Sequence, residues 1–295
     1  MSYTHLDIAH NNLGTALMAK GDLDGAIKEF HQAIKINTGV AIGHNNLGRA
    51  LQKKGDTDGA IGEYRRAINI QSDYADAHNN LGLALADKGD LDGAIKECHQ
   101  AINIKSDYAD AHFNLGNALK GKGDLDGATR EYRQAIRIEP DDATLSNNLG
   151  FILAKKGDLD GAIGEYRKAI SIRPDDPYAH DNLGRTLADK GDFDGAINEH
   201  HQAVKIKPDD AVFHNNLGYA LIGKGDYEGA IRELRQAINL KPSLASAHYG
   251  LGFVLKNKGD HKGAIEELRT SIHLSADEQL KQKARDMIRE FGGTP

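Results

Sequence analysis

The feature that most constrains this chain is a strict internal period. Leu-Gly recurs at 13–14, 47–48, 81–82, 115–116, 149–150, 183–184, 217–218 and 251–252, with a step of 34 residues every time. Gly-Asp keeps the same step, from Gly21-Asp22 to Gly259-Asp260. Self-similarity of this length is the mark of stacked supersecondary units, each too small to bury its own apolar face and dependent on its neighbours for a core. The hydrophobic share of 39% is below the roughly 45–50% of ordinary globular domains. It suits a thin layer buried between neighbouring elements better than one large central core.

With each unit numbered 1–34 and the recurrent Leu at position 7, the units run 7–40, 41–74, 75–108, 109–142, 143–176, 177–210, 211–244 and 245–278. Positions 3, 7, 10 and 11 step at helical spacing, with Leu at 7 and 11, so a first helix (A) buries one stripe. Gly at 15 is placed to end it. Lys at 14, from Lys20 to Lys258, lies at the negative end of that helix dipole. Asp at 16, from Asp22 to Asp260, is a good N-cap for a second helix (B), and an acid at 18 in seven units suits its first turn. In the first unit the apolar face of helix B reads Ala26, Ile27, Phe30, Ala33, Ile34 and Ile36. Small residues at 8, 20 and 27 let the two helices approach closely. Gly at 19 has no evident role at this level.

These residues carry a resemblance to the tetratricopeptide repeat over about nine-tenths of the chain. Leu at 7, Gly at 8 and Ala at 20 occur in all eight units, and Ala at 27 in seven, with Ser271 the exception. Pro at 32 is present as Pro140, Pro174, Pro208 and Pro242, and the aromatic at 24 as Phe30, Tyr64, Tyr132 and Tyr166. Two positions depart from the family: 4, usually Trp, is His in seven units, and 11, usually Tyr, is Leu in all eight. The resemblance implies an all-α fold, a right-handed α-solenoid (superhelix) of eight helix-turn-helix units over residues 1–278. Beyond it, 279–295 is expected to form a capping helix and tail, because Leu280, Ala284, Met287, Ile288 and Phe291 make one apolar stripe on a charged segment. No polar cap precedes the first unit. The chain is therefore expected to be a fragment, to leave its first helix partly bare, or to stack there on another molecule.

The family also implies that A helices line an inner groove through positions 2, 5, 6, 9, 12 and 13. Position 6 is Asn in seven units: Asn12, Asn46, Asn80, Asn114, Asn148, Asn182 and Asn216. Position 5 is Asn in five: Asn11, Asn45, Asn79, Asn147 and Asn215. A carboxamide offers both donor and acceptor, so a row at fixed spacing can grip the main chain of an extended peptide. This resembles the asparagine ladder in the repeats of O-linked N-acetylglucosamine transferases. The same amides could instead bond neighbouring helices or water. Phe113, Phe151, Tyr178, Tyr219, Tyr249 and Phe253 gather towards the C-terminal half, and Asn117 also faces the groove. Groove cations (Arg49, Lys53, Lys120, Lys155, Arg185, Lys256) and acids (Asp76, Asp87, Asp110, Asp181, Asp189) nearly balance, favouring neither a phosphate nor a very acidic ligand. The family's carboxylate clamp for chaperone tails is not expected, since only the Asn at 6 stands in register.

The position-4 histidines (His10, His44, His78, His112, His180, His214, His248) do not predict a metal site. Packed helices lie about 10 Å apart, and zinc needs its ligands at about 2.1 Å. Half-buried rings are expected instead, with stability weakening between pH 7.5 and 5.5 as they charge. His200 and His201 are expected on an outer solvated face, and Cys98 as a small core residue. No cofactor is expected, and no nucleotide-binding loop, metalloprotease motif or nucleophile–base set is present. The net charge of −6 argues against a nucleic-acid partner. No run of about 18 apolar residues suggests a membrane span. The start MSYTHLDIAHNNLG lacks a basic segment followed by an apolar run, and a single cysteine allows no internal disulfide. The expectation is a non-catalytic, cytoplasmic scaffold or adaptor that binds a protein or peptide, as a monomer or self-associating weakly through its first unit. Two alternatives stand beside it: the substrate-recruiting or regulatory region of a larger enzyme such as a glycosyltransferase, and a self-assembling structural array.

Overall fold

The computed structural model describes residues 5–290. Among them are seventeen helices and no strand. The A helices are α1 (Leu6–Ala19), α3 (Ala41–Lys54), α5 (Ala75–Asp87), α7 (Ala109–Gly121), α9 (Ala143–Lys155), α11 (Pro177–Asp189), α13 (Ala211–Lys224) and α15 (Ala245–Asn257). The B helices are α2 (Leu23–Ile36), α4 (Thr57–Ile70), α6 (Leu91–Ile104), α8 (Leu125–Ile138), α10 (Leu159–Ile172), α12 (Phe193–Ile206), α14 (Tyr227–Leu240) and α16 (His261–Leu274). The last helix is α17 (Glu278–Arg289). The chain forms two compact units, Met1–Leu145 and Ser146–Pro295. From α1 to α8, and again from α10 to α16, every helix packs on the next, so each B helix serves its own repeat and the following one.

The turns follow the sequence closely. Each helix A stops at a glycine with φ between +83° and +94°, a left-handed conformation that glycine adopts without penalty. The aspartate that follows caps helix B. In the second repeat Asp56 Oδ1 accepts from the backbone N–H of Gly59 at 2.9 Å, and the same bond recurs in every repeat. The structure supplies the reason for glycine at position 19. A Cβ there would lie 2.3–2.5 Å from the capping Asp Oδ2, so any side chain would displace the cap. Gly at 8 is explained in the same way: a Cβ on Gly48 would meet the Tyr64 ring at 2.6 Å.

The core is a thin layer repeated along the chain. Leu47, Ala50, Ala60, Tyr64 and Ala67 are fully buried in the second repeat, and Leu217, Ala230, Leu234 and Ala237 in the seventh. Position 24 is buried whatever residue occupies it, including Cys98, where burial pushes the thiol up to about 12. Helix α17 covers the last repeat through Ala284, Met287 and Ile288, which pack on Leu268. Phe291, the last member of the expected stripe, lies outside the described residues. The lysine at 14 does more than face its own helix end. It reaches the acid at position 18 of the preceding repeat, as in Lys54–Asp24 at 2.5 Å and Lys88–Asp58 at 2.6 Å. These exposed pairs orient neighbouring repeats and contribute little energy each.

Candidate functional site

The position-6 asparagines bond across repeats. Asn46 Nδ2 donates to Asn11 Oδ1 at 3.0 Å, Asn80 to Asn45 at 3.0 Å, Asn114 to Asn79 at 2.9 Å and Asn182 to Asn147 at 3.1 Å. Asn216 donates to both oxygens of Asp181, at 2.9 and 3.1 Å. The acceptors at position 5 are drawn inward: Asn45, Asn79, Asn215 and Asp181 are 3–7% exposed. They belong to the wall of the A-helix face and present almost no surface to a guest. Two tyrosines that the sequence reading did not single out complete the arrangement, Tyr74 and Tyr108, whose hydroxyls accept from Asn45 at 3.4 Å and Asn79 at 3.5 Å. Asn46, Asn80, Asn114 and Asn182 are thus each held by one N–H. Among the described residues the Oδ1 of Asn46, Asn80 and Asn182 has no donor, and none of these oxygens is a buried unpartnered atom.

The charged and aromatic candidates fall into small groups. Arg49, Asn80, Asp76, Asp110 and Tyr108 line a polar recess of about 240 Å³ in the first unit. In the second unit Phe151, Lys155, Asn182, Arg185 and Asp189 line one of about 180 Å³, with the Lys155 ammonium 5.1 Å from the Phe151 ring centre. The aromatic series does not form one cluster. Phe113 packs on Tyr132 with ring centres 5.9 Å apart, while Tyr249 and Phe253 pack against Leu268 under the capping helix. Tyr219 is half-buried and donates its hydroxyl to the Ser246 carbonyl at 2.8 Å. Tyr178 is the most exposed of them at 55%, with its ring edge-on to Phe213 at 5.6 Å and Lys207 5.5 Å from its centre. Asn117 is turned to its own repeat, accepting from the Tyr132 hydroxyl at 2.7 Å.

The histidines at position 4 have a role the sequence reading missed. Nδ1 of each lies 2.6–2.7 Å from a glutamate at position 23 on the partner helix B: His10–Glu29, His44–Glu63, His78–Glu97, His112–Glu131, His180–Glu199, His214–Glu233 and His248–Glu267. In five of them Nε2 also meets a carbonyl of the preceding repeat's final turn: Ser72, Ser106, Pro174, Pro208 or Pro242. At His78, His112 and His180 the two acceptors are best satisfied by the imidazolium, which donates from both nitrogens. The bond to glutamate accordingly holds His78, His112 and His180 above the ordinary imidazole range, outweighing burial. Because the charge on these three rings is paired, acidification is expected to strengthen the fold and not to weaken it. Glu at position 23 in all eight units was the available signal. The fifth repeat breaks the pattern. Ser146 stands at position 4 with no exposure, and both its hydroxyl and Oε2 of Glu165 are buried without a hydrogen-bond partner.

His200 also departs from expectation. It occupies position 24, the core site filled elsewhere by Tyr, Phe, Leu or Cys, and is 1% exposed, while His201 beside it is on the surface. Its Nδ1 stands 3.0 Å from Asp181 Oδ1 but without the alignment of a hydrogen bond. A helical residue one place along is turned by about 100° around the axis, enough to carry His201 off the buried face.

The TPR-repeat family matches residues 14–55, 48–89, 82–123, 116–157, 152–189, 184–225 and 220–259, and a tetratricopeptide-repeat family matches 245–278. No curated protein sequence matches the chain. Among solved structures it is similar to the Cut9–Hcn1 hetero-tetramer of the APC/C, at 19% identity and a TM-score of 0.65. That alignment covers 93% of this chain and 55% of the other, so the chain spans just over half of that protein's length. It is similar to MamA from Desulfovibrio magneticus RS-1, at 27% identity and a TM-score of 0.53 over 56% of this chain and 94% of that one. It also resembles YrrB, described as a TPR protein with an unusual peptide-binding site, at 22% identity and a TM-score of 0.54 over 65% of this chain and all of that one. The first and third of these similarities establish the fold alone. No described helix is long and apolar enough to cross a membrane. Eight helical hairpins joined by capped turns, with an interaction scaffold as the family's general use, agree with these matches: the chain belongs to the tetratricopeptide-repeat family.

Proposed function

We propose that the protein is a non-catalytic scaffold whose A-helix face holds an extended peptide or a partner helix. The observation that carries this reading is the amide row. Asn80 and Asn182, both half-buried, are each fixed by one bond to the repeat before, yet keep an oxygen and an N–H for a guest. Bonding between repeats and gripping a peptide are therefore compatible uses of one side chain, and the first pre-organises the second. A row held at the repeat spacing suits main-chain groups, which recur whatever the peptide's sequence. Selectivity then comes from the recesses around Arg49 and around Phe151, Lys155 and Arg185.

Selection from a peptide library, repeated with Asn80→Ala and Asn182→Ala, tests the reading. Selected peptides should bind each variant at least about tenfold more weakly, the loss expected when one or two hydrogen bonds are removed. Undiminished binding by both variants, or no binding peptide at all, would reject it. The variants must be shown to keep their helical content, because each change also removes a bond between repeats.

A further inference from the structure

An apolar cavity lies at the first two repeats. Its volume is about 190 Å³, and Ile8, Ile34, Val40 and Ile42 line it beside Asn11 and Asn12. Ile8 and Ile42 are 54% and 47% exposed, the most exposed isoleucines among the described residues. The array supplies its own comparison. In the next two repeats the position held by Val40 is Tyr74 and Tyr108, and the position of Ile42 is Asp76 and Asp110. The tyrosine hydroxyls there accept from Asn45 and Asn79. Valine has no hydroxyl, so Asn11 accepts from Asn46 but, among the described residues, neither its own Nδ2 nor that of Asn12 has an acceptor. Val40 for tyrosine and Ile42 for aspartate together make this space apolar, and the first also leaves an amide donor beside it. The one charge in the lining, Asp7, is taken up by the Asn37 amide at 3.0 Å and the Ile8 N–H at 2.8 Å, so nothing in the cavity asks for a cation.

We propose that this cavity is an anchor site for a branched aliphatic side chain, leucine or isoleucine, of an extended peptide whose adjoining main-chain carbonyl is taken by Asn11 Nδ2 and Asn12. The proposal rests on the reading that the A-helix face binds peptide and adds where the guest is anchored and by what. The walls of this cavity meet water, as the exposure of Ile8 and Ile42 shows, and an apolar guest of matching size would cover them. Displacing poorly bonded water from such a space provides the affinity, and the two amides set the direction of the chain.

The test uses the full chain and N-acetyl-leucine methylamide, with the alanine analogue as control, followed by NMR of methyl and side-chain amide groups. The leucine probe should shift the methyls of Ile8 and Ile42 and the amides of Asn11 and Asn12, and the alanine probe should not. Val40→Tyr and Ile42→Asp install residues the array already uses at those positions, so the fold is expected to survive, and both should abolish the shifts. Equal shifts with the two probes, no shift with either, or shifts unchanged in Val40→Tyr would overturn the anchor. This outcome is separable from the amide row: peptides that lose affinity on Asn182→Ala but not on Val40→Tyr would keep the peptide face and reject only the anchor.

Discussion

His78 and Glu97 join the two helices of the third repeat through a bond of 2.7 Å from ring Nδ1 to carboxylate Oε2, while the other ring nitrogen lies 3.1 Å from the Ser72 carbonyl of the repeat before. One side chain thus ties helix A to its own helix B and to the preceding repeat. The same arrangement is present at His112, His180, His214 and His248.

The first prediction concerns pH. The folded-state values of His78, His112 and His180 are raised, chiefly by the glutamate hydrogen bond. A raised imidazole contributes stability that is fully present below the unfolded value of about 6.5 and is lost as pH rises through the folded value. The thermal midpoint should therefore climb as pH falls from about 8 to about 6, as far as the paired glutamates stay ionised. Replacing His112 with Gln should flatten that climb and cost about 1–3 kcal/mol. A midpoint that falls over this range, measured by circular dichroism, would refute the clasp.

The fifth repeat offers a gain. Ser146 leaves Glu165 Oε2 buried and unpartnered. Ser146→His restores the residue found at this position in every other repeat and supplies a donor to the carboxylate. It should stabilise the chain by about 1 kcal/mol or more, and Ser146→Ala, which supplies no donor, should not. Denaturant unfolding of the two variants beside the parent decides between them.

Two glycines only three positions apart should respond in opposite directions. A Cβ at Gly59 would lie 2.4 Å from Asp56 Oδ2, while one at Gly62 meets nothing within 4 Å. Gly59→Ala should break the cap of α4 and cost about 1 kcal/mol. Gly62→Ala, in the same helix, should gain up to about 1 kcal/mol. Equal effects would mean that position 19 is glycine for some other reason than the capping carboxylate.

Asn80→Ala should weaken the array as well as any peptide bound to it. The change leaves Asn45 Oδ1, in a residue 3% exposed, without its donor from the next repeat. An acceptor left buried in this way costs about 1–3 kcal/mol. A thermal midpoint indistinguishable from the parent would show that the bond between Asn80 and Asn45 contributes nothing.

The helices, their ends and the period were legible in the sequence because each depends on residues close together in the chain. Gly55 turns the backbone, Asp56 caps the next helix three residues on, and Leu47 recurs by helical spacing; none of these needs knowledge of what lies across a gap. The partners of polar side chains were not legible in this way. His78 meets Glu97 only because the two helices of a hairpin cross at a given register, and Asn80 meets Asn45 only because one repeat stacks on another at a given offset. The aliphatic cavity was still harder to foresee, since it follows from an absence: Val40 fails to fill a space and bond an amide as Tyr74 does. Local geometry is fixed by chain connectivity, whereas the character of the binding face depends on which polar groups satisfy one another between helices, and only tertiary packing decides that.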